Sequence, residues 1–102
     1  MAEVRDNPER DRYEIVVDGQ VAGFAQYAQR PGRIFFVHTE IDPAYEGQGL
    51  GSALAAGALS DARARGLRVV PLCRFIASYL DRHPQYSDVV DHDLMVTIDP
   101  DA

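Results

Sequence analysis

The sequence contains no lysine and no tryptophan, and it has a single cysteine, Cys73. All ten basic side chains are therefore arginines, which excludes a Walker-type phosphate loop because that loop needs Gly-Lys-Ser/Thr. One cysteine cannot form an internal disulfide, and with three scattered histidines it makes no metal-ligand spacing. We therefore expect no metal site.

Long hydrophobic runs are also missing. No stretch reaches the roughly 20 apolar residues of a membrane helix, and the polar N-terminus lacks the apolar centre of a signal peptide. We expect a cytoplasmic protein without a membrane partner. The formal net charge is −6 and the arginines form no basic stripe, so nucleic acid is not an expected partner either.

The 102 residues fit one compact domain, 1–102. Alternating apolar residues, rich in β-branched and aromatic types, predict strands over 12–18, 20–29 and 33–41. Asp18-Gly19 is a hairpin signal between the first two strands. Three antiparallel strands in a meander are the simplest arrangement.

After the meander, helical periodicity runs over 48–65, and Gly66 is a suitable residue to follow the helix. A short buried strand is expected over 67–72 and a shorter helix over 73–83, while the acidic tail 93–102 is expected to carry an edge strand over 93–98. The fold class is therefore α+β, or mixed α/β by a looser definition: a meander, a βαβ-type crossover and a second short helix.

Three glycines, Gly47, Gly49 and Gly51, stand on alternate positions where the first helix begins. A helix start has unpaired N–H groups and the positive end of the helix dipole, and glycine lets an anion approach them closely. A dinucleotide fingerprint fits badly, because Ser52 stands where it needs its third glycine and no second βαβ unit follows. The pattern predicts a phosphate-type anion site.

The segment from Glu46 to Gly51 resembles the diphosphate loop of the GNAT (GCN5-related N-acetyltransferase) enzymes, which bind coenzyme A at this helix start. More closely, H-T-E-I-x-P-x-x-x-G-x-G-L-G-S-x-L followed by G-L-R-V-V-P-L-C-x-F-x-x-x-Y-x-x-x-H-P-x-Y resembles the small YjdJ-like GNAT family. The resemblance covers about residues 12–92. It implies a minimal GNAT-like fold, acetyl-CoA as co-substrate and an amine as acceptor.

The resemblance also implies a set of residues that contact coenzyme A. These are Ile41, Glu46, Gly47, Gln48, Gly49, Leu50, Gly51, Ser52 and Pro71. Glu46 departs from the GNAT pattern, which usually has Arg or Gln there, and its carboxylate adds repulsion toward a diphosphate.

Three residues are candidates for the chemistry if the pantetheine arm lies between the strands that end at Ile41 and Pro71. His38 is the candidate general base, because imidazole titrates near neutral pH; its alternative role is a hydrogen bond at a strand end. Cys73 is a candidate nucleophile at a helix start, or an ordinary packing residue. Tyr79 stands where larger GNAT enzymes have a tyrosine that protonates the leaving thiolate, or it closes the core.

We therefore expect an acetyl-CoA-dependent acyltransferase that acts on a primary amine. Transfer is either direct, assisted by His38, or relayed through Cys73. The net acidity favours a cationic acceptor, such as a protein lysine or a small polyamine. The alternative is a non-catalytic module that binds coenzyme A or a partner protein.

Overall fold

The computed structural model describes residues 1–94, which form one five-stranded sheet with two α-helices. The strands are β1 (Ala2–Asn7), β2 (Arg12–Val17), β3 (Gln20–Arg30), β4 (Arg33–Ile41) and β5 (Arg68–Pro71), and the helices are α1 (Leu50–Ala64) and α2 (Arg74–Arg82). The strands lie in the sheet in sequence order; β1 to β4 are antiparallel, and β5 is parallel to β4. The predicted α+β class is confirmed.

The meander has one strand more than the sequence predicts. β1 lies at the edge of the sheet and pairs with β2 over its whole length. The edge strand predicted over 93–98 is wrong at its start, because His92, Asp93 and Leu94 form a helical turn. The rest of that prediction, and most of the tail 93–102, lies outside the described residues.

Two glycine turns agree with the sequence. Asp18 and Gly19, with φ of 49° and 84°, make the two-residue hairpin between β2 and β3, as a type I′ turn requires. Gly66, with φ of 70°, follows the last turn of α1, and the next N–H, of Leu67, donates to the carbonyl of Ala62 at 2.9 Å. The turn chemistry thus sets both chain reversals.

The core lies on one face of the sheet, beneath α1. It joins the helix residues Leu54, Ala58 and Leu59, all fully buried, to Phe36 of β4 and Tyr13 of β2. The buried side of α2 belongs to the same cluster, through Ile76 and Tyr79. Within residues 1–94, no helix has both the length and the apolar composition to cross a membrane. The cytoplasmic location stays a prediction.

A β-bulge interrupts β4 at Val37. Tyr27 pairs with Phe36 and Gln26 with His38, so Val37 has no partner on β3. A bulge shifts the alternation of side chains between the two faces. Thr39 beyond it is paired with the fully buried Ala25 and lies on the core face, whereas His38 lies on the opposite face.

The parallel pairing of β4 with β5 is short. It runs from Arg33 opposite Arg68 to Phe36 opposite Pro71, while β4 continues to Ile41. The N–H of Cys73 donates to the carbonyl of Phe36 at 2.8 Å and closes the paired region. Beyond this point β5 ends, and β4 continues alone to Ile41.

Gly57 of α1 gives a test of how β1 packs on the helix. A Cβ there would lie 2.6 Å from the Cβ of Val4 and 2.8 Å from both of its methyl groups. We expect Gly57→Ala to lower the free energy of unfolding by about 1 to 2 kcal/mol, because overpacking outweighs the helix propensity gain of about 1 kcal/mol. Urea denaturation measures it.

Ala53→Gly, at an exposed position of the same helix, is the control for propensity. It should lower stability by about 1 kcal/mol. If Gly57→Ala is as stable as the parent or more stable, the contact between β1 and α1 is looser than described.

Candidate functional site

A groove of 410 Å³ lies where the end of β4 meets the start of α1. Its lining residues are Thr39, Ile41, Tyr45, Glu46, Gly47, Gly49, Leu50, Gly51, Ser52 and Phe75. Most of the residues that the sequence predicts for coenzyme A therefore share one cavity. Gln48 and Pro71 are not among the lining residues, and Pro71 instead lines a smaller cavity beside α2.

The three glycines of the loop have two different physical causes. Gly47 and Gly49 have φ of 83° and 74°, which is left-handed backbone that strains other residues, and a Cβ at either would meet nothing within 4 Å. Gly51 is helical, and a Cβ there would lie 2.8 Å from the ring of Phe75. Gly47 and Gly49 allow the backbone conformation of the loop, and Gly51 leaves room for the Phe75 ring, which forms part of the groove wall.

The N–H groups at the start of α1 are available to a ligand. The first backbone hydrogen bond of the helix runs from Ala53 to the carbonyl of Gly49, at 3.2 Å. Among residues 1–94, the amides of 47–52 have no backbone acceptor. Unpaired amides at the positive end of a 15-residue helix favour an anion with several oxygens, such as a diphosphate.

The side chains add no positive charge to this site. Among the described residues, no arginine lines the groove, and the one charged side chain in its wall is Glu46. Asp42 lies just outside, where its carboxylate accepts a hydrogen bond from the N–H of Ala44 at 2.9 Å and starts the 3-10 turn Pro43–Tyr45. Anion binding here rests on backbone amides.

His38 lies on the sheet face opposite α1, with 59% of its side chain exposed. Its Nε2 is 3.0 Å from Oε2 of Glu40, and its ring is 6.1 Å from that of Phe24. Because a carboxylate only accepts, a neutral imidazole donates from Nε2 and keeps a free lone pair on Nδ1. A general base needs that lone pair.

Cys73 lies on the other side of β4, immediately before α2. The residue is 7% exposed, and its thiol donates to the hydroxyl of Thr39 at 3.3 Å. Thr39 itself lines the groove. The structure therefore brings Cys73 to the groove side of the strand and places His38 on the opposite face, and the two side chains make no polar contact with each other.

The side chain of Tyr79, a residue of α2, packs against the 3-10 turn Pro84–Val89. Its ring stacks on His83 at 3.8 Å between centroids and lies 6.0 Å from Tyr86. Burial, together with the neighbouring Tyr86, raises the pKa of Tyr79 above its usual range, so the hydroxyl is protonated at neutral pH. Phe75, one turn earlier, reaches the groove, whereas Tyr79 is not in its lining. Its role as an acid stays a prediction.

Sequence reasoning missed three lining residues, Thr39, Tyr45 and Phe75. Thr39 could have been found from the sequence. It lies two residues before Ile41 on the same strand, and residues two apart on a strand share a face. Phe75 had no signal in the sequence, because its contact with Gly51 joins two helices that meet only in the fold. Tyr45 lies in a turn with no periodicity and had no such signal.

Comparison with known proteins agrees with this geometry. The profile of the GCN5-related N-acetyl-transferase family matches residues 12–89. A solution NMR structure of a GCN5-like protein from Staphylococcus aureus superposes with a TM-score of 0.66 and 22% identity, covering 86% of each chain. No curated protein matches the sequence.

The chain belongs to the GCN5-related N-acetyltransferase family, a family of acyltransferases that use acetyl-CoA and an amine acceptor. The likeness to the Staphylococcus aureus protein shows the shared fold. The assignment to the small YjdJ-like branch and the single domain over 1–102 stay predictions.

Proposed function

We propose that this protein binds acetyl-CoA in the groove at the start of α1 and transfers the acetyl group directly to a primary amine. The observation that carries the proposal is the run of unpaired amides over 47–52, which faces an open cavity beside two left-handed glycines. This arrangement suits a diphosphate, and acetyl transfer is the reaction class of the family.

The pantetheine arm is proposed to lie between the separated ends of β4 and β5. Within the part of the chain that the structure describes, no strand pairs with Val37 to Ile41 on the side of β5, so the backbone polar groups there are open to the amides of pantetheine. Ile41 and Thr39 then line the arm, and the thioester lies near the bulge at Val37. His38 and Cys73 approach that point from opposite faces of β4.

Direct transfer is proposed over the cysteine relay. A relay needs a thiolate, and the Cys73 thiol is buried, donates to a neutral hydroxyl and has no basic side chain of residues 1–94 in polar contact. In direct transfer the amine lone pair attacks the thioester carbonyl carbon, and the amine proton passes to Nδ1 of His38. The C–S bond then breaks, the coenzyme leaves as a thiolate that takes up a proton from solvent, and the His38 imidazolium returns its proton to solvent.

The glycine loop is tested with two glycines of equal strain. Gly49→Ala should lose most acetyl-CoA binding, since a Cβ at a left-handed position displaces the loop and covers the amides. Gly19→Ala, which also has positive φ and free space around its Cβ, is the control. In the parent, acetyl-CoA at about 100 times its dissociation constant should add about 2.7 kcal/mol, a rise on the order of 10 °C in thermal unfolding.

Both variants should start from a similarly lowered melting temperature. Only Gly19→Ala should keep the rise with acetyl-CoA. An equal ligand shift in the two variants, or none in the parent at millimolar acetyl-CoA, contradicts the loop assignment.

Glu46 is tested by removing its charge. We expect Glu46→Gln to bind acetyl-CoA about three- to tenfold more tightly, because a carboxylate in the groove wall repels a diphosphate at an effective dielectric near that of a protein surface. Isothermal titration calorimetry at two salt concentrations measures it. Glu9→Gln, in an exposed turn, is the matched control and should change nothing. Equal affinity for Glu46→Gln and the parent would mean that Glu46 points away from the bound coenzyme.

The route of the acetyl group is tested with His38→Ala and Cys73→Ala. We expect His38→Ala to lose about 10²- to 10⁴-fold in kcat with acetyl-CoA binding retained, because a general base contributes that much. Cys73→Ala should keep most of the turnover. Because the chain has no lysine, an acetyl adduct seen by intact mass would point to Cys73 or the N-terminus. If Cys73→Ala loses more turnover than His38→Ala and the adduct is sensitive to hydroxylamine, the acetyl group passes through Cys73. If the parent binds acetyl-CoA but shows no turnover, the protein is a coenzyme A-binding module.

A further inference from the structure

A second groove opens on the sheet face that carries His38. It encloses 270 Å³ and lies between β3 and the end of β4. Its lining residues are Arg12, Val21, Ala22, Gly23, Phe24, Glu40, Asp42 and Pro43. None of them lines the groove at the start of α1, so the two grooves are separate.

The second groove has an apolar wall with two carboxylates beside it. Phe24 and Val21, of which Val21 is 38% exposed, form the wall, and the carboxylates of Glu40 and Asp42 stand beside it. Among the described residues, Arg12 is the one cation in the lining. Its guanidinium is 2.8 Å from the carboxylate of Glu14, which Arg5 also contacts at 3.6 Å, and it lies over the Phe24 ring at 4.5 Å, so its charge is partly compensated within the protein.

Two contacts join this groove to the proposed base. Glu40 holds Nε2 of His38 at 3.0 Å, and the Phe24 ring lies beside the imidazole. A chain lying along Phe24 would therefore lead to the imidazole ring of His38. The acceptor can arrive from this face while acetyl-CoA occupies the other side of β4.

We infer that this groove binds the acceptor, and that the acceptor carries a second positive group beyond the reacting amine. The inference rests on the proposed function. The Glu40 carboxylate already contacts His38, whereas Asp42, which directly follows β4, lies about 13 Å from His38 along the chain because strand residues advance about 3.3 Å each. The ligand class is thus an amine with a further cation at that spacing and an apolar stretch between them, which packs on Phe24.

The test compares 1,8-diaminooctane with octylamine, which share an apolar chain and differ in the distal ammonium. Release of free coenzyme A thiol gives kcat/KM for each amine. We expect the diamine to be preferred at least tenfold in the parent. Asp42→Asn should reduce this preference about three- to fivefold, by lowering kcat/KM for the diamine more than for octylamine. The asparagine oxygen can still accept from the N–H of Ala44, so the turn at Pro43 is kept.

Asp81→Asn, an exposed carboxylate of α2 on the helix side of the sheet, is the matched control and should keep the full preference. An unchanged preference in Asp42→Asn, or no preference in the parent, overturns the inference while the acetyl transfer itself stands.

Binding is measured separately, so that the inference can be judged if neither amine is acetylated. Titration of the ¹⁵N-labelled protein with 1,8-diaminooctane should shift the amide resonances of 21–24 and 40–42 in the parent and only weakly in Asp42→Asn. Such shifts without turnover support the groove and count against the proposed enzyme. Absence of shifts in these residues overturns the groove.

Discussion

The parting of β4 from β5 is the constraint on which the candidate site depends. Four residue pairs hold the strands together, and pairing ends where Pro71 stands opposite Phe36. Proline has no N–H for a ladder, so β5 stops there while β4 continues. Ligands of such sheets bind beyond the carboxyl ends of parallel strands, and the crossover helix begins at the same edge. The groove and the unpaired amides therefore follow from one topological event.

A loop of strained glycines needs a rigid support, and α1 is anchored at its C-terminal end. In the last turn of the helix, Asp61 accepts a hydrogen bond of 2.5 Å from the hydroxyl of Tyr13. Near its end, Arg63 pairs with Asp88 at 2.6 Å and Arg65 pairs with Asp6 of β1 at 2.9 Å. These contacts fix the helix to β1, β2 and the segment after α2. The N-terminal turn can then carry unpaired amides and left-handed residues without loss of position.

Periodicity and turn chemistry were enough to predict β2 to β4, α1, β5 and α2 to within about two residues, because each element has one buried face. β1 was missed because its sequence, AEVRDN, has one large apolar side chain and is held at a sheet edge by pairing and by Val4 against Gly57. The glycine loop was located from sequence alone. The close contact of Gly51 with the Phe75 ring could not be predicted, because it joins two helices that meet only in the fold.

The face on which His38 lies also could not be predicted, and it changes the chemistry. Strict alternation from Phe36 would turn His38 toward the core, on the same side as Cys73. The extra residue at Val37 reverses this, because it lets Thr39 pair with Ala25 and leaves His38 beside Glu40 in solvent. A single sheet of this size then carries two grooves: one of backbone amides with the single carboxylate of Glu46, and an acidic, aromatic one on the other side of β4. Under the proposed function, Glu40 lies on the side of β4 away from the coenzyme, so one small acidic domain can hold an anion on one side and a cation on the other.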